Sequence, residues 1–273
     1  MTSTFNLHDY QRQGFALVRG LFTIAELETL RVFLRSGQMG KDTFAVADQD
    51  GGSAELAVWT HCGNDFIGTL PRLARMVDIA TQAIGEPIYH WHSKITLKNP
   101  GHQGHWDWHQ DYGHWYTEGC LSPEMMSIGV ALDPMTSDNG PLRLIAGSHH
   151  LGRIDHIPIG DSNGADPQYV ARALERLEEV ECHLEIGDAV VFHGNTLHAS
   201  GSNTSREPRS FLLSSYNALS NIPRKPKIDG HRVVDIQKVD DAALLNNQYT
   251  GINTTSNILR PEDRVYGYNH RSK

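Results

Sequence analysis

Residues 88–98 read IYHWHSKITLK. In this run Tyr89, Trp91, Ser93, Ile95 and Leu97 alternate with His90, His92, Lys94, Thr96 and Lys98. Successive strand side chains point to opposite faces, so the run is a strand with one mostly apolar face and one polar, chargeable face. Upstream the period is helical. Thr23-Ile24-Ala25-Glu26 has the form of a capping box, and Leu27, Leu30, Val32, Phe33 and Leu34 follow it, which predicts a helix from about 24 to 36. Residues 71–84, PRLARMVDIATQAI, open with Pro71 and stop at Gly85, the punctuation of a second helix. Downstream, MSIGVALDP (126–134), PLRLIAG (141–147), DAVVFHG (188–194) and RSFLLSSYNAL (209–219) are strand-like runs, mostly separated by turn residues. DPQYVARALERLEE (166–179) reads as an inserted helix.

Short strands behind leading helices predict a mainly β fold with flanking helices, an antiparallel sandwich or barrel. Neither a repeat nor a linker divides the chain, so residues 1–273 form one expected domain. From about 221 onward the chain turns polar and irregular. Residues 221–273 are expected to form an extension that covers the barrel or contacts another subunit, and a homodimer fits this reading.

Composition narrows the function. The chain carries 24 basic and 32 acidic residues, a net charge of −8. That argues against nucleic-acid binding and against a polybasic membrane surface, both of which need clustered Lys and Arg. No apolar run approaches the roughly 18 residues of a membrane span. The start, MTSTFNLHDYQRQGF, lacks the pattern of a signal peptide. Cys62, Cys120 and Cys182 form no CxxC pair, and a reducing cytoplasm is the expected location. The remaining signal is 16 histidines, the commonest metal ligand.

Residues 107–115, DWHQDYGHW, follow the strand at 88–98. His105-Trp106-Asp107 and His109-Gln110-Asp111 each offer an imidazole and a carboxylate two positions apart, which on a strand share one face. With 16 His in the chain, about one such pair is expected by accident. Context adds weight. In GDAVVFHGNTLHASGSNTSREPRSFLLSSY (187–216), His198 stands between Leu197 and Ala199, and Arg209 opens the next strand. His193 rivals His198 as a third ligand. A buried arginine is costly unless it meets an anion, and a guanidinium grips a carboxylate with two parallel hydrogen bonds. Two histidines and one carboxylate leave coordination positions open, which suits non-haem Fe(II). Zinc in a hydrolase uses a similar set but closes as a tetrahedron with one water.

HSKITLKNP (92–100), DWHQDYGHW (107–115), DNGPLRLIAGSHHLG (138–152) and LHASGSNTSREPRSFLLSSYN (197–217) together resemble the phytanoyl-CoA dioxygenase family of Fe(II)/2-oxoglutarate oxygenases. The resemblance runs from about Gly14 to Leu219 and is nearest to the bacterial branch that hydroxylates small molecules such as ectoine and free proline. It implies a double-stranded β-helix, a cupin-like jelly-roll barrel. It selects His109 and Asp111 over His105 and Asp107 as metal ligands, with His198 as the distal one. By the same resemblance Arg209 binds the far carboxylate of 2-oxoglutarate, Ser200 supports it, and Lys94 and Thr96 face the co-substrate. Gln110 and Trp115 match pocket-lining residues, and His92 matches a position that reaches substrate.

The implied reaction consumes O2 and 2-oxoglutarate, releases succinate and CO2, and hydroxylates a small polar or carboxylated metabolite. An intact Asp111 favours hydroxylation over halogenation. Two departures stand out. YTEGCLSPEMMS (116–127) replaces the acidic-Gly-Met segment of the ectoine and proline hydroxylases. Gly129 stands where some relatives bear Trp, which suggests a roomier wall. His102, His105 and His114 are expected on loops at the barrel mouth, and Trp106 and Trp108 are expected to pack. The competing readings are a cupin-type metal-dependent isomerase, which needs no Arg209 anchor, and a non-catalytic jelly-roll binding protein.

Overall fold

The computed structural model describes residues 4–101, 103–224 and 233–259. His102 and parts of the expected C-terminal extension lie outside the described residues. The chain opens with α1 (Leu7–Gln13), capped by the Asn6 side chain and closed by Gly14 at φ 82°. β1 (Phe15–Val18) follows, then α2 (Ile24–Arg35), which carries the expected reciprocal bonds between Thr23 and Glu26. β2 (Phe44–Ala47), β3 (Ser53–Trp59) and the short α3 (Phe66–Thr69) lead to α4 (Ala74–Ile84). That helix begins at Ala74 rather than Pro71, because Leu70–Arg72 form a separate 3-10 turn.

The remaining elements are β4 (Ile88–Lys98), β5 (Trp106–His109), α5 (Asp111–Thr117), β6 (Met125–Ala131), β7 (Leu142–Ile145), β8 (His156–Ile159) and β9 (Ser162–Ala165). After them come α6 (Pro167–Leu174), β10 (Glu179–Glu181), β11 (Ala189–His193), β12 (His198–Ser200) and β13 (Arg209–Ala218). α6 stops short of the expected 179 because Glu179–Glu181 pair with β7 instead.

The strands form a seven-stranded sheet, ordered β1-β11-β6-β13-β4-β3-β2, a four-stranded sheet, ordered β10-β7-β12-β5, and the β8-β9 hairpin. Pairing between the named strands is antiparallel throughout. Strand parity divides the core in two. On β13, Leu212 and Tyr216 point outward with Val191, Met126 and Ile128, and pack on Tyr10, Leu27, Leu30 and Met76 of the helices. Phe211 and Leu213 point inward with Val190 and Phe192, and meet Leu142 and Leu144 of the small sheet. Each such fully buried side chain contributes about 1.5–3 kcal/mol relative to exposure. This is the expected jelly roll, with helices on the outer face of its large sheet.

The alternation read along 88–98 holds from His92 onward and breaks before it. The β4–β13 register shifts between Ser215 and Tyr216, a bulge. His90 therefore leaves the polar face. Its Nε2 lies 2.8 Å from Ser93 Oγ, and its ring meets Tyr216 edge-on.

Residues 233–259 run along the helical layer. Val239 bridges Leu73, Asp241 pairs with Arg75 at 3.1 Å, and the Leu259 N–H donates to Val58 O. The buried Asp65 carboxylate accepts N–H bonds from Thr254, Thr255 and Ser256. Among the described residues, no helix is long and apolar enough to cross a membrane.

Candidate active site

β5 and β12 are neighbours in the small sheet, and their register sets His109 opposite His198. The two imidazole centroids lie 4.1 Å apart. The expectation of two ligands on one strand needs correction. β5 ends at His109, Gln110 precedes the helix, and Asp111 is the first residue of α5. A strand-to-helix turn, not the pleat, brings the carboxylate round. Ligand atoms of His109, Asp111 and His198 all lie within 4.8 Å of one another, and Asp111 Oδ1 is 3.8 Å from His198 Nε2.

Both imidazoles are oriented by backbone carbonyls. His109 Nδ1 donates to Asp107 O at 2.7 Å, and His198 Nδ1 donates to Thr196 O at 2.9 Å. A carbonyl only accepts, so Nδ1 carries the proton and Nε2 keeps a free lone pair, as a metal requires. Burial holds both pKa values below the usual histidine range, and the neighbouring His198 adds to the effect on His109. Burial alone would raise the Asp111 pKa. The Lys94 ammonium is the largest effect opposing this, and the carboxylate's pKa lies below its ordinary value. Lys94 Nζ stands 3.7 Å from Asp111 Oδ1, and Ser127 Oγ donates to Oδ2 at 3.0 Å. Two neutral nitrogens and one buried carboxylate match the facial donor set of a ferrous ion.

Three residues hold the turn that shapes this set. Gln110 donates to Gly152 O and Asn195 O and accepts the Ile154 N–H, at 2.7–2.8 Å. Its amide thus ties the His109–Asp111 turn to the chain leading into His198. His156 donates to Ile154 O and accepts the Gln110 N–H at 3.0 Å. Gly113 allows that ring to approach, since a Cβ there would lie 2.0 Å from His156 Cε1.

Gln110 and Trp115, expected on the pocket wall, both sit behind it. The Gln110 amide is spent on backbone, and Trp115 is buried among Tyr89, Trp91 and Tyr112. His92, expected to reach substrate, is also behind the wall. Its Nε2 lies 3.5 Å from Ser215 Oγ, which meets Ser127 at 2.8 Å, so it backs Asp111 through two hydroxyls.

The other expected residues converge. Lys94, Thr96, His109, Asp111, His198, Ser200 and Arg209 line one cavity. Arg209 is only 2% exposed, and its partners are uncharged oxygens. It donates to Gly140 O at 2.8 and 3.1 Å and to Thr96 Oγ1 at 3.0 Å. Burial pushes its pKa down to about 10, against the pull of Asp133. Phe211 covers Gly129, where a Cβ would lie 2.1 Å from the ring. The wall is therefore not roomier there, because an aromatic from the neighbouring strand fills the space.

Asp48, His105, Trp106, Asp107 and His114 complete much of the lining. His105 Nδ1 pairs with Asp48 at 2.9 Å and Nε2 faces Asp107 at 3.4 Å, so the rival doublet lies outside the metal cluster. His114 lies on α5 rather than a loop, its ring 5.8 Å from His109, and burial with His156 pushes its pKa down to about 3. Trp106 faces the cavity, whereas Trp108 packs, with the Arg143 guanidinium over its ring at 5.1 Å. His193 packs between Tyr10 and His149, away from the cluster.

The barrel, the open two-histidine, one-carboxylate face and the buried guanidinium beside it place the chain among Fe(II)/2-oxoglutarate-dependent dioxygenases. The phytanoyl-CoA dioxygenase family model matches residues 10–211. The chain belongs to that family. It is 33% identical over 195 residues to L-proline trans-4-hydroxylase of Streptomyces griseoviridis, covering 65% of this chain and 73% of that one. It is 28% identical over 242 residues to ectoine dioxygenase of Bordetella bronchiseptica, covering 82% and 78%. The fold matches the crystal structure of EctD from S. alaskensis with 2-oxoglutarate and 5-hydroxyectoine, at TM-score 0.69 and 20% identity, covering 86% of each chain.

Proposed function

We propose that this chain hydroxylates a small polar metabolite, using His109, Asp111 and His198 to hold Fe(II). Arg209, Ser200 and Thr96 hold 2-oxoglutarate, with Lys94 beside them. The observation that carries this reading is the convergence of the three donors and the buried Arg209 on one cavity. When bound, the iron and co-substrate supply oxygen activation coupled to decarboxylation, releasing succinate and CO2.

The chain's own residues do the rest. His109 and His198 present neutral Nε2 atoms. Asp111 supplies one negative charge, steadied by Lys94 and Ser127. Arg209 aims a guanidinium at the far carboxylate, and Leu213, Phe211 and Ala199 keep that part of the wall apolar. Asp48, His105 and Asp107 make the rest of the lining polar and chargeable, which suits a small polar substrate rather than a long acyl chain. The proline and ectoine relatives support the same size class.

The whole chain works as one domain, since the outer core joins Phe5 to Leu244 and Ile258. Of the expected extension, residues 233–259 pack along the helical layer; a second subunit remains its proposed further contact, and the enzyme is proposed to reside in the cytoplasm. The test is anaerobic loading with Fe(II) and 2-oxoglutarate, followed by oxygenation against a panel of amino acids and other small zwitterions. Substrate-stimulated succinate release from the wild type, absent in Asp111→Ala, is the expected result. Equal succinate release from both proteins would overturn the assignment.

A further inference from the structure

β4 and β13 set Lys98 directly opposite Arg209. Both side chains are basic and both are buried, at 1% and 2% exposure; burial and the neighbouring Arg209 hold the Lys98 pKa well below its usual value, against the pull of Asp48. Like charges across a ladder repel, and burying each one is costly without a counter-charge. Among the described residues, the hydrogen-bond partners of Lys98 are nonetheless neutral. Its Nζ donates to Ser200 Oγ at 2.8 Å, to Ser200 O at 3.4 Å and to Gly201 O. Arg209 repeats the pattern with Thr96 Oγ1. Each hydroxyl accepts from a basic group, so its own proton is free to point elsewhere. Ser200 and Thr96 both line the cavity. Two hydroxyl donors and a guanidinium thus face one end of it, with the Lys98 amine directly behind the Ser200 hydroxyl.

We infer that Lys98 is a positioning residue of the 2-oxoglutarate subsite: its amine turns the Ser200 hydroxyl into a fixed donor and sets a second basic group beside Arg209 for the distal carboxylate. This rests on the proposed function above. It also gives a reason for a lysine in a fully buried position that Met would fill more cheaply.

The test uses Lys98→Met, which keeps the stem and removes the amine, on Mn(II)-loaded enzyme. Calorimetry measures binding of 2-oxoglutarate and of 2-oxobutanoate, which lacks the distal carboxylate. Hydrogen bonds to charged groups predict a roughly 10- to 100-fold loss for 2-oxoglutarate. The expected change for 2-oxobutanoate, and for Mn(II) itself, is under about threefold. Ser200→Ala should weaken 2-oxoglutarate in the wild-type background and cost under about threefold more in Lys98→Met.

Unchanged 2-oxoglutarate affinity in Lys98→Met overturns the inference. So does an equal loss for both keto acids, which marks a merely structural lysine, or a Ser200→Ala penalty that is the same in both backgrounds. Should Lys98→Met not fold, Lys98→Arg decides: retained preference for 2-oxoglutarate over 2-oxobutanoate supports the role, and lost preference overturns it. A wild type that binds no 2-oxoglutarate refutes the functional reading itself, which separates the two failures.

Discussion

At the residue scale, Arg209 and Asp111 have unlike partners. Asp111 is held ionised chiefly by the Lys94 charge beside it, whereas the hydrogen-bond partners of Arg209 among the described residues are carbonyl and hydroxyl oxygens. Arg209→Ala should therefore act on co-substrate binding. Truncating one partner of a buried charged pair costs about 2–5 kcal/mol, so the KM for 2-oxoglutarate should rise by at least about 30-fold. Steady-state kinetics with saturating substrate checks this, and an unchanged KM rejects the anchor. His198→Ala should instead abolish metal-dependent succinate formation, with Mn(II) affinity falling in parallel; intact metal binding would remove His198 from the triad.

At the element scale, the His109–Asp111 turn is held from outside itself. Gly113→Ala drives a methyl into the His156 ring, and overpacking of this kind costs about 1–3 kcal/mol. The expected result is a lower denaturation midpoint together with weaker metal binding, since the turn carries a ligand at each end. Full metal affinity with an unshifted midpoint would show that the turn tolerates the change.

This turn also marks where the sequence stops being legible. His109, Asp111, His198 and Arg209 could be picked out from local spacing and family resemblance, an antiparallel sandwich or barrel from strand runs such as RSFLLSSYNAL, and the jelly roll from the resemblance. Gln110 could not be read correctly. Its partners, Gly152, Ile154 and Asn195, lie 42 to 85 residues away, and nothing local distinguishes an amide facing a cavity from one stapling three backbones. His90 failed for a different reason: one bulge residue reverses strand parity, and alternation contains no sign of it. Lys98 stood in plain view on the polar face of the strand, but only tertiary structure shows that it is buried opposite Arg209.

At the scale of the whole molecule, stability should depend on pH in one direction on the acid side. Burial alone would raise the Asp65 pKa, but N–H groups of Ser256, Thr255 and Gly68 outweigh it and hold the carboxylate below its ordinary value. A depressed carboxylate contributes stability that is present above its unfolded pKa of about 4 and is lost as pH falls through the folded value. The half-buried His193 has its pKa pushed down to about 4, so the unfolded chain takes up that proton first, near 6.5. Both effects weaken the fold as pH drops, His193 from about 6.5 and Asp65 from about 4. Denaturant melts of metal-free protein from pH 7 to 4 should show a falling midpoint, with a shallower slope in His193→Gln. An identical slope would reject the histidine contribution. Asp65→Ala should also lower the midpoint at pH 7 and expose residues 250–258 to protease; equal resistance would show that Asp65 does not pin that segment.

The Phe211 ring lies on a glycine, so nothing stands behind it to take its place. Shortening that one side chain leaves a void that Gly129 cannot refill, while a larger residue at 129 collides with the ring. The room left on that side of the cavity is thereby set by a pair of positions on adjacent strands. A paired exchange there, a smaller ring traded against a larger residue at 129, would reshape the chamber at a distance from the His109–Asp111–His198 cluster.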